Sequence, residues 1–325
     1  MAQPLYSDSE RLRRIHRVLV MFYQEHRSQA EISSALGISP ATVNRMVKEG
    51  HERGFVEIRI HTPFGPEAGL AASLKQMGHL KSCVAVHSQS SDPAIVLRSV
   101  ADAAANALLD DLQDGMTIAV SGGVAMTALI DALKPARRFA IRVVPATGGV
   151  QGKFHTDVNH VAVALAEKLG GTALQLHAPV FGASPEERQA LLSVSTIANV
   201  LDIARKADIA VFGIGSVQED DSTYLTLTDH VDRSTLIAAG ASGELLAHVI
   251  NDKGEPCDHI SNRCLVALSL EDLGRIPNRV AMASGAKKAI PIAAALRGGR
   301  IGTLITDGNT ARTVVDLLGG PAHAA

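Results

Sequence analysis

Apolar side chains in the first turns of the chain fall at 12, 15, 19 and 22, the stripe of a single helix face. A shorter helix is predicted over residues 29–36, with Ile32 and Leu36 inward and Gly37 at its end, where a left-handed residue commonly stops a helix. Ser39 followed by Pro40 is an N-cap followed by a proline at the first helical position, so a third helix opens there and runs to about Gly50, with Val43, Met46 and Val47 inward. Gly54 ends the helical stretch. From Phe55 to Ile60 apolar and charged residues alternate as in a short edge strand, and the Pro/Gly-rich run 61–66 follows as a joint.

Beyond the joint the pattern changes to short apolar runs alternating with helical stripes. Residues 83–86, 117–120, 142–144, 174–177, 208–213, 265–270, 280–283 and 302–306 read as buried strands. Residues 94–109, 158–169, 185–206, 287–296 and 310–318 read as helices. Such alternation predicts an α/β domain with a doubly wound parallel sheet and helices on both faces. The expected organisation is a helical head at 1–61, a linker at 62–69 and a larger domain at 70–325.

Composition narrows the class without deciding it. Hydrophobic residues make up 46% of 325 and charged residues 20%, as in a globular protein with a sizeable core. No apolar run approaches the roughly 20 residues of a spanning helix, and none of signal-peptide length follows the early arginines. Three cysteines give no disulfide framework; cytoplasmic residence is expected. The formal net charge of −2 speaks against a nucleic-acid partner until the chain is divided. Residues 1–65 hold nine Lys plus Arg against seven Asp plus Glu, and the remainder holds 22 against 26. A DNA reader needs positive charge only on its contacting face.

Residues 29–47, QAEISSALGISPATVNRMV, have the spacing of a helix-turn-helix. Ser33 and Gly37 allow a steep approach of the two helices, and Ile38 and Val43 fill the space between them. The outward face presents Gln29, Ser39, Ala41, Thr42, Asn44, Arg45 and Lys48. Asn and Arg suit purine edges, whereas Lys48 and the cluster Arg11, Arg13, Arg14 suit phosphate. The plainer alternative is a three-helix bundle with a solvated polar face. An edge strand at 56–60, where the winged variant of the motif places its wing, favours the DNA reader.

In the larger domain, glycine-rich turns follow strands at Ser121-Gly122-Gly123, Thr147-Gly148-Gly149, Gly213-Ile214-Gly215-Ser216 and Gly240-Ala241-Ser242-Gly243-Glu244. Helix N-termini at the carboxyl ends of parallel strands favour anions, phosphate above all. No complete dinucleotide fingerprint or phosphate-binding P-loop is present. Lys288, at the opening of another helix, could meet a phosphate or a sugar carbonyl, and Pro291 should bend or tighten that helix. Cys257, His259 and Cys264 lack a second metal-spaced cluster and read as buried structural residues. His155, His160 and His177 read as solvated or core-edge side chains, and no metal or cofactor is expected. Ser121 lacks the glycine two residues earlier that a nucleophile elbow requires.

With these residues in view, the chain resembles the SorC family of bacterial sugar-responsive transcriptional regulators. The resemblance rests on ISPATVNRMV from Ile38, APVF from Ala178, ADIAVFGIGSV from Ala207, GASGE from Gly240, Lys288 with AAALRGG from Ala293, and LITD from Leu304. It implies an effector domain similar to ribose-5-phosphate isomerase that binds a sugar or polyol, often phosphorylated. It also implies a homotetramer whose paired heads read operator DNA. In family terms the effector residues are Gly122, Gly123, Thr147, Gly148, Gly149, Gln151, Gly213, Gly215, Gly243, Glu244 and Lys288, with Lys153 nearby. Three positions depart from the pattern: Ser284 stands for a glycine, Ser242-Gly243-Glu244 for Val-Gly-Asp, and Pro291 is unusual. The expected function is operator-specific regulation of a sugar or polyol catabolic operon, without catalysis. The alternatives are a sugar-phosphate isomerase-type enzyme using Glu244 or Asp307 as base, and a sigma-like factor, which leaves the larger domain unexplained.

Overall fold

The short apolar runs alternate sides as strands must. In Thr117–Val120, Ile118 and Val120 join one buried cluster while Ala119 joins another. A computed structural model describes residues 8–56, 67–87, 90–150, 156–217 and 232–319. The chain divides into two compact units, Met1–Pro63 and Phe64–Ala325.

The first unit contains α1 (Asp8–Leu19), which continues as a π turn over Val20–Gln24, α2 (Gln29–Leu36) and α3 (Pro40–Glu52). Val18, Met21, Ile32, Val43 and Val47 form its core. α3 runs two residues past the expected end, and Gly50 lies inside it rather than closing it. A Cβ on Gly50 would stand 2.6 Å from Leu19 Cδ1, so this glycine marks the close approach of α1 to α3. Of the edge strand expected at 56–60, residues 57–60 lie outside the described residues.

The second unit contains α4 (Ala68–Met77), β1 (Ser82–Val86), α5 (Pro93–Asp111), β2 (Thr117–Val120), α6 (Val124–Ala132), β3 (Arg142–Pro145), α7 (Val158–Leu169), β4 (Thr172–Ala173), α8 (Pro185–Ser193) and α9 (Ser195–Arg205). There follow β5 (Ile209–Gly215), α10 (Arg233–Ala238), β6 (Gly243–Leu245), β7 (His248–Ile250), α11 (Ile260–Cys264), α12 (Leu270–Arg275), β8 (Asn278–Met282), α13 (Ala289–Arg297), β9 (Thr303–Asp307) and α14 (Gly308–Gly319). Seven strands lie parallel in the order β1-β9-β8-β5-β2-β3-β4, and the antiparallel pair β6-β7 extends from the end of β5. Side chains of α5, α6 and α7 bury one face of the sheet, and those of α4, α9, α12, α13 and α14 bury the other. From β2 the chain moves to β3 on one side, and from β5 it moves to β8 and β9 on the other. β2 and β5 therefore flank the topological switch point, where the carboxyl ends open a crevice.

Several expected elements differ, each for a local reason. In the run 174–177, Leu174 N still donates to the Val143 carbonyl of β3, but at Leu176 the Asn159 side chain takes the place of a strand partner, Leu176 N donating to Asn159 Oδ1 at 2.7 Å. The run 265–270 is a buried crossing segment rather than a sheet strand. Val266 N donates to the Val180 carbonyl and Leu268 N to that of Ala146, and Ser269 then caps α12. The single helix expected over 185–206 is broken at Val194, whose ψ of 120° lies outside the helical region. The helix expected from Lys287 opens as a 3-10 turn over Ala286–Lys288 and becomes α-helical at Ala289. Pro291 then falls in the first turn, where its missing N–H has no intrahelical acceptor to lose. α4 begins at Ala68, so the last two residues of the expected linker are helical. Among the described residues no helix is long and apolar enough to cross a membrane.

Candidate ligand cradle and nucleic-acid interface

The turn between α2 and α3 is fixed by four local devices. Ser28 and Glu31 form a reciprocal capping box at the start of α2. Gly37 takes φ 62° at its end, and the Ser33 hydroxyl donates to the Ile38 carbonyl at 2.5 Å. The Ser39 hydroxyl accepts the Thr42 N–H at 3.1 Å and shares a hydrogen bond with the Thr42 hydroxyl. Ser39 and Thr42, expected on the reading face, are thus tied into the cap. Ala41, Asn44, Arg45 and Lys48 are exposed, and Gln29 is half-buried. Lys48 lies 3.8 Å from Glu52. Neither Asn44 nor Arg45 makes a side-chain hydrogen bond or ion pair with any described residue.

Arg11, expected at phosphate, is bound to Glu49 at 2.7 Å, and Arg53 reaches the same carboxylate at 2.8 Å. The Arg11 guanidinium holds the Glu49 carboxyl below its ordinary range. This link between α1 and α3, and the Tyr23–His51 hydrogen bond at 2.5 Å, join residues too far apart in sequence for periodicity to reveal.

At the switch point, Ser121 connects the turn after β2 to β5: its hydroxyl donates to the Gly122 carbonyl at 3.0 Å and accepts the Gly213 N–H at 3.3 Å. Gly123, at φ 108°, caps α6 without a side-chain hydrogen bond to the helix. Gly122 has no room for a side chain, since a Cβ would lie 2.5 Å from the Thr156 carbonyl oxygen. Gly215 pairs with Glu244 across β5 and β6, and a Cβ on Gly215 would meet the Glu244 carboxylate. On Gly243 a Cβ would stand 2.4 Å from Pro291 Cβ. The departures Glu244 and Pro291 therefore pack into spaces that glycines leave.

Glu244 Oε2 accepts the Ala247 N–H at 2.9 Å, within a turn where Leu246 and Ala247 both take positive φ, 49° and 62°. Positive φ is uncommon for such residues, and the burial of both side chains holds the turn. Burial pushes the Glu244 carboxyl up, opposed by the Ala247 N–H and by the Lys288 charge. The structure thus brings Gly213, Gly215, Gly243, Glu244 and Lys288 together beside Ser121, Gly122 and Gly123. Gln151 and Lys153 lie outside the described residues.

Thr147, Gly148 and Gly149 are tied into the backbone of neighbouring segments. Gly148 N donates to the Val266 carbonyl at 2.8 Å and Gly149 N to that of Ala178 at 2.9 Å, while Thr147 bridges Ala267. The N–H groups of Gly148 and Gly149 thus join two other segments, around Ala178 and around Val266. A Cβ on Gly148 would lie 2.2 Å from the Pro179 carbonyl oxygen, and that backbone has nowhere to go. Gly148→Ala is accordingly expected to destabilise the chain by about 1–3 kcal/mol, the usual range for overpacking, read as a lower urea midpoint.

His248 was not singled out by the sequence pattern. Its Nε2 donates to the Leu268 carbonyl at 2.9 Å, and burial pulls its pKa down to about 4 from 6.5. The folded state then binds fewer protons than the unfolded chain between those values. Stability is full above pH 6.5 and is lost as pH falls towards 4, by about 2 kcal/mol between pH 7 and pH 5. In His248→Gln, whose amide can still reach Leu268, that part of the pH dependence should vanish from urea midpoints; an unchanged slope would reassign it.

His259 is engaged at both ring nitrogens, with Ser261 at Nδ1 and Thr235 at Nε2. Burial raises the Cys257 and Cys264 thiols. No set of His, Cys, Asp and Glu suited to a metal occurs among the described residues. His177 is exposed and His160 half-buried, while His155 lies outside the described residues. Asp307, the other candidate base, accepts the Gly285 N–H, the Thr310 N–H and the Thr310 hydroxyl.

Residues 63–316 match a protein family described as "Putative sugar-binding domain". The transcriptional regulator LsrR of Klebsiella pneumoniae is 28% identical over 308 residues, 93% of either chain. The deoxyribonucleoside regulator of Bacillus subtilis is 26% identical over 302 residues, 92% of this chain and 96% of its own. Among solved structures, the full-length sorbitol operon regulator SorC from Klebsiella pneumoniae has a TM-score of 0.71 at 25% identity, covering 95% of this chain and 100% of that one. The sugar-binding domain of a transcriptional repressor from Vibrio fischeri has a TM-score of 0.72 at 28% identity, covering 78% of this chain and 100% of that one.

Proposed function

This chain belongs to the SorC family of sugar-binding transcriptional regulators, and we propose that it is a cytoplasmic regulator of a sugar or polyol catabolic operon. Its α2-turn-α3 segment reads operator DNA as a helix-turn-helix. Its larger unit, similar to ribose-5-phosphate isomerase, binds a carbohydrate-derived effector, and the working form is a homotetramer with paired heads. One observation carries the reading: a single chain joins the exposed Asn44 and Arg45, which pair with no described residue, to a glycine cradle at a sheet switch point.

A phosphorylated effector suits the cradle. The N-terminus of α6 carries no capping side chain and its partial positive charge favours an anion, with Lys288 supplying a full charge. Glu244 offers the acceptor, or when protonated the donor, that a sugar hydroxyl needs. The isomerase alternative is not favoured: its relatives are regulators, and the oxygens of Asp307 are held by the protein itself. A thermal-shift panel of ribose 5-phosphate, deoxyribose 5-phosphate, sorbitol 6-phosphate and the parent sugars tests the effector half. A ligand at 100 times its Kd adds about 2.7 kcal/mol, a shift of several degrees. A melting point unmoved by every member would contradict a carbohydrate effector.

A further inference from the structure

Glu67 is the first described residue after the joint and immediately precedes α4. Its side chain makes no hydrogen bond to its own helix, although a helix N-terminus would welcome it. It points instead at two other elements. Arg312 Nη2, on α14, donates to Glu67 Oε2 at 3.2 Å, and His87 Nδ1, just past β1, lies 3.4 Å from Oε1. Its backbone N–H donates to the Ala85 carbonyl in β1 at 2.9 Å. Arg312 is steadied by Asn309.

The carboxylate rests on a glycine. A Cβ on Gly308 would stand 2.4 Å from Glu67 Oε1, so the carboxylate as placed lies directly against this glycine. Gly308 directly follows Asp307, whose Oδ2 accepts the Gly285 N–H at 2.8 Å. Gly285 opens the turn that carries Lys288, the cation beside Glu244. A short run of contacts thus connects the cradle's lysine turn, through Asp307 and Gly308, to the residue at which the larger unit meets the joint.

We propose that Glu67, Arg312 and Gly308 form a latch that couples effector occupancy to the joint, and through it to DNA affinity. The proposal rests on the regulatory reading above. An effector drawing on Lys288 shifts the Gly285–Asp307 contact, and with it the floor on which Glu67 sits. The latch then takes one arrangement with effector bound and another without it. The latch residues touch neither ligand; they set how strongly the two sites are coupled.

The test measures two affinities on the full chain. One is for the sugar phosphate that gives the largest thermal shift in the panel above. The other is for duplex DNA from the chain's own promoter region, with and without that probe. Wild type should show an effector-dependent change in DNA affinity of about 5-fold or more, the ordinary size of an allosteric coupling. In Glu67→Gln and Arg312→Gln the ratio should fall below about 2-fold while the probe binds within about 2-fold of wild type, and Arg312→Lys should restore the ratio. A wild-type ratio in both glutamine variants overturns the latch and leaves the regulatory reading standing. Absence of any ratio in wild type overturns both.

Discussion

Arg45→Ala is expected to lose specific operator binding by about 30-fold or more while melting at the wild-type temperature. The magnitude follows from geometry and multiplicity. A bidentate arginine–guanine contact discriminates by about 1–3 kcal/mol, and in the proposed homotetramer paired heads would lose it twice. The unchanged melting point follows from exposure: Arg45 lies outside the core built by Val43 and Val47 and has no partner on the described chain. Asn44→Ala should behave alike. Lys48→Ala should differ in kind, weakening all sequences uniformly and lowering the salt slope by about one. Arg11→Ala, by contrast, should lower the stability of the head, because its guanidinium ties α1 to Glu49 of α3. Electrophoretic mobility shift at two salt concentrations separates these outcomes. Operator affinity of Arg45→Ala equal to wild type would remove α3 from the role of reader.

The second large effect belongs to Lys288→Ala. Affinity for a phosphorylated effector should fall about 10- to 100-fold, the range for losing a hydrogen bond to a charged group. The unphosphorylated parent sugar should lose little. Removing the ammonium also removes an attractive charge that lowers the buried Glu244 carboxyl, so that carboxyl should take up its proton at higher pH. Titration calorimetry with a sugar phosphate and its parent sugar reads the difference. Equal losses for both would move the phosphate away from Lys288.

What could be read from the sequence, and what could not, has a physical boundary. Ser39-Pro40 and Gly37 placed the turn between α2 and α3, because caps and left-handed residues signal locally. Residues 158–169 were legible to the residue, since Asp157 caps the helix start and Gly170, at φ 84°, ends it. The apolar run 265–270 was not, because a buried run of that length has the same pattern inside or outside a sheet. Its fate was decided by Val180 and Ala146, partners far away in sequence. The cradle was half legible. The glycines after β2 and β5 announced themselves, but only coordinates separate Gly213 and Gly215, which lie beside Glu244 and α6, from Gly148 and Gly149, whose N–H groups join other segments. The positive φ of Leu246 and Ala247 and the link from Glu67 to Arg312 carried no sequence signal at all.

The central claim is that one chain reads DNA under carbohydrate control, and this requires a ligand with different affinities for two arrangements of the heads. The most direct measurement is fluorescence anisotropy of the full chain on labelled promoter DNA, titrated with and without a saturating sugar phosphate. The account predicts salt-dependent binding whose Kd shifts about 5-fold or more when the effector is added, and predicts that Arg45→Ala abolishes the specific component. Binding with one Kd at every effector concentration, or no salt-dependent binding at all, would contradict it.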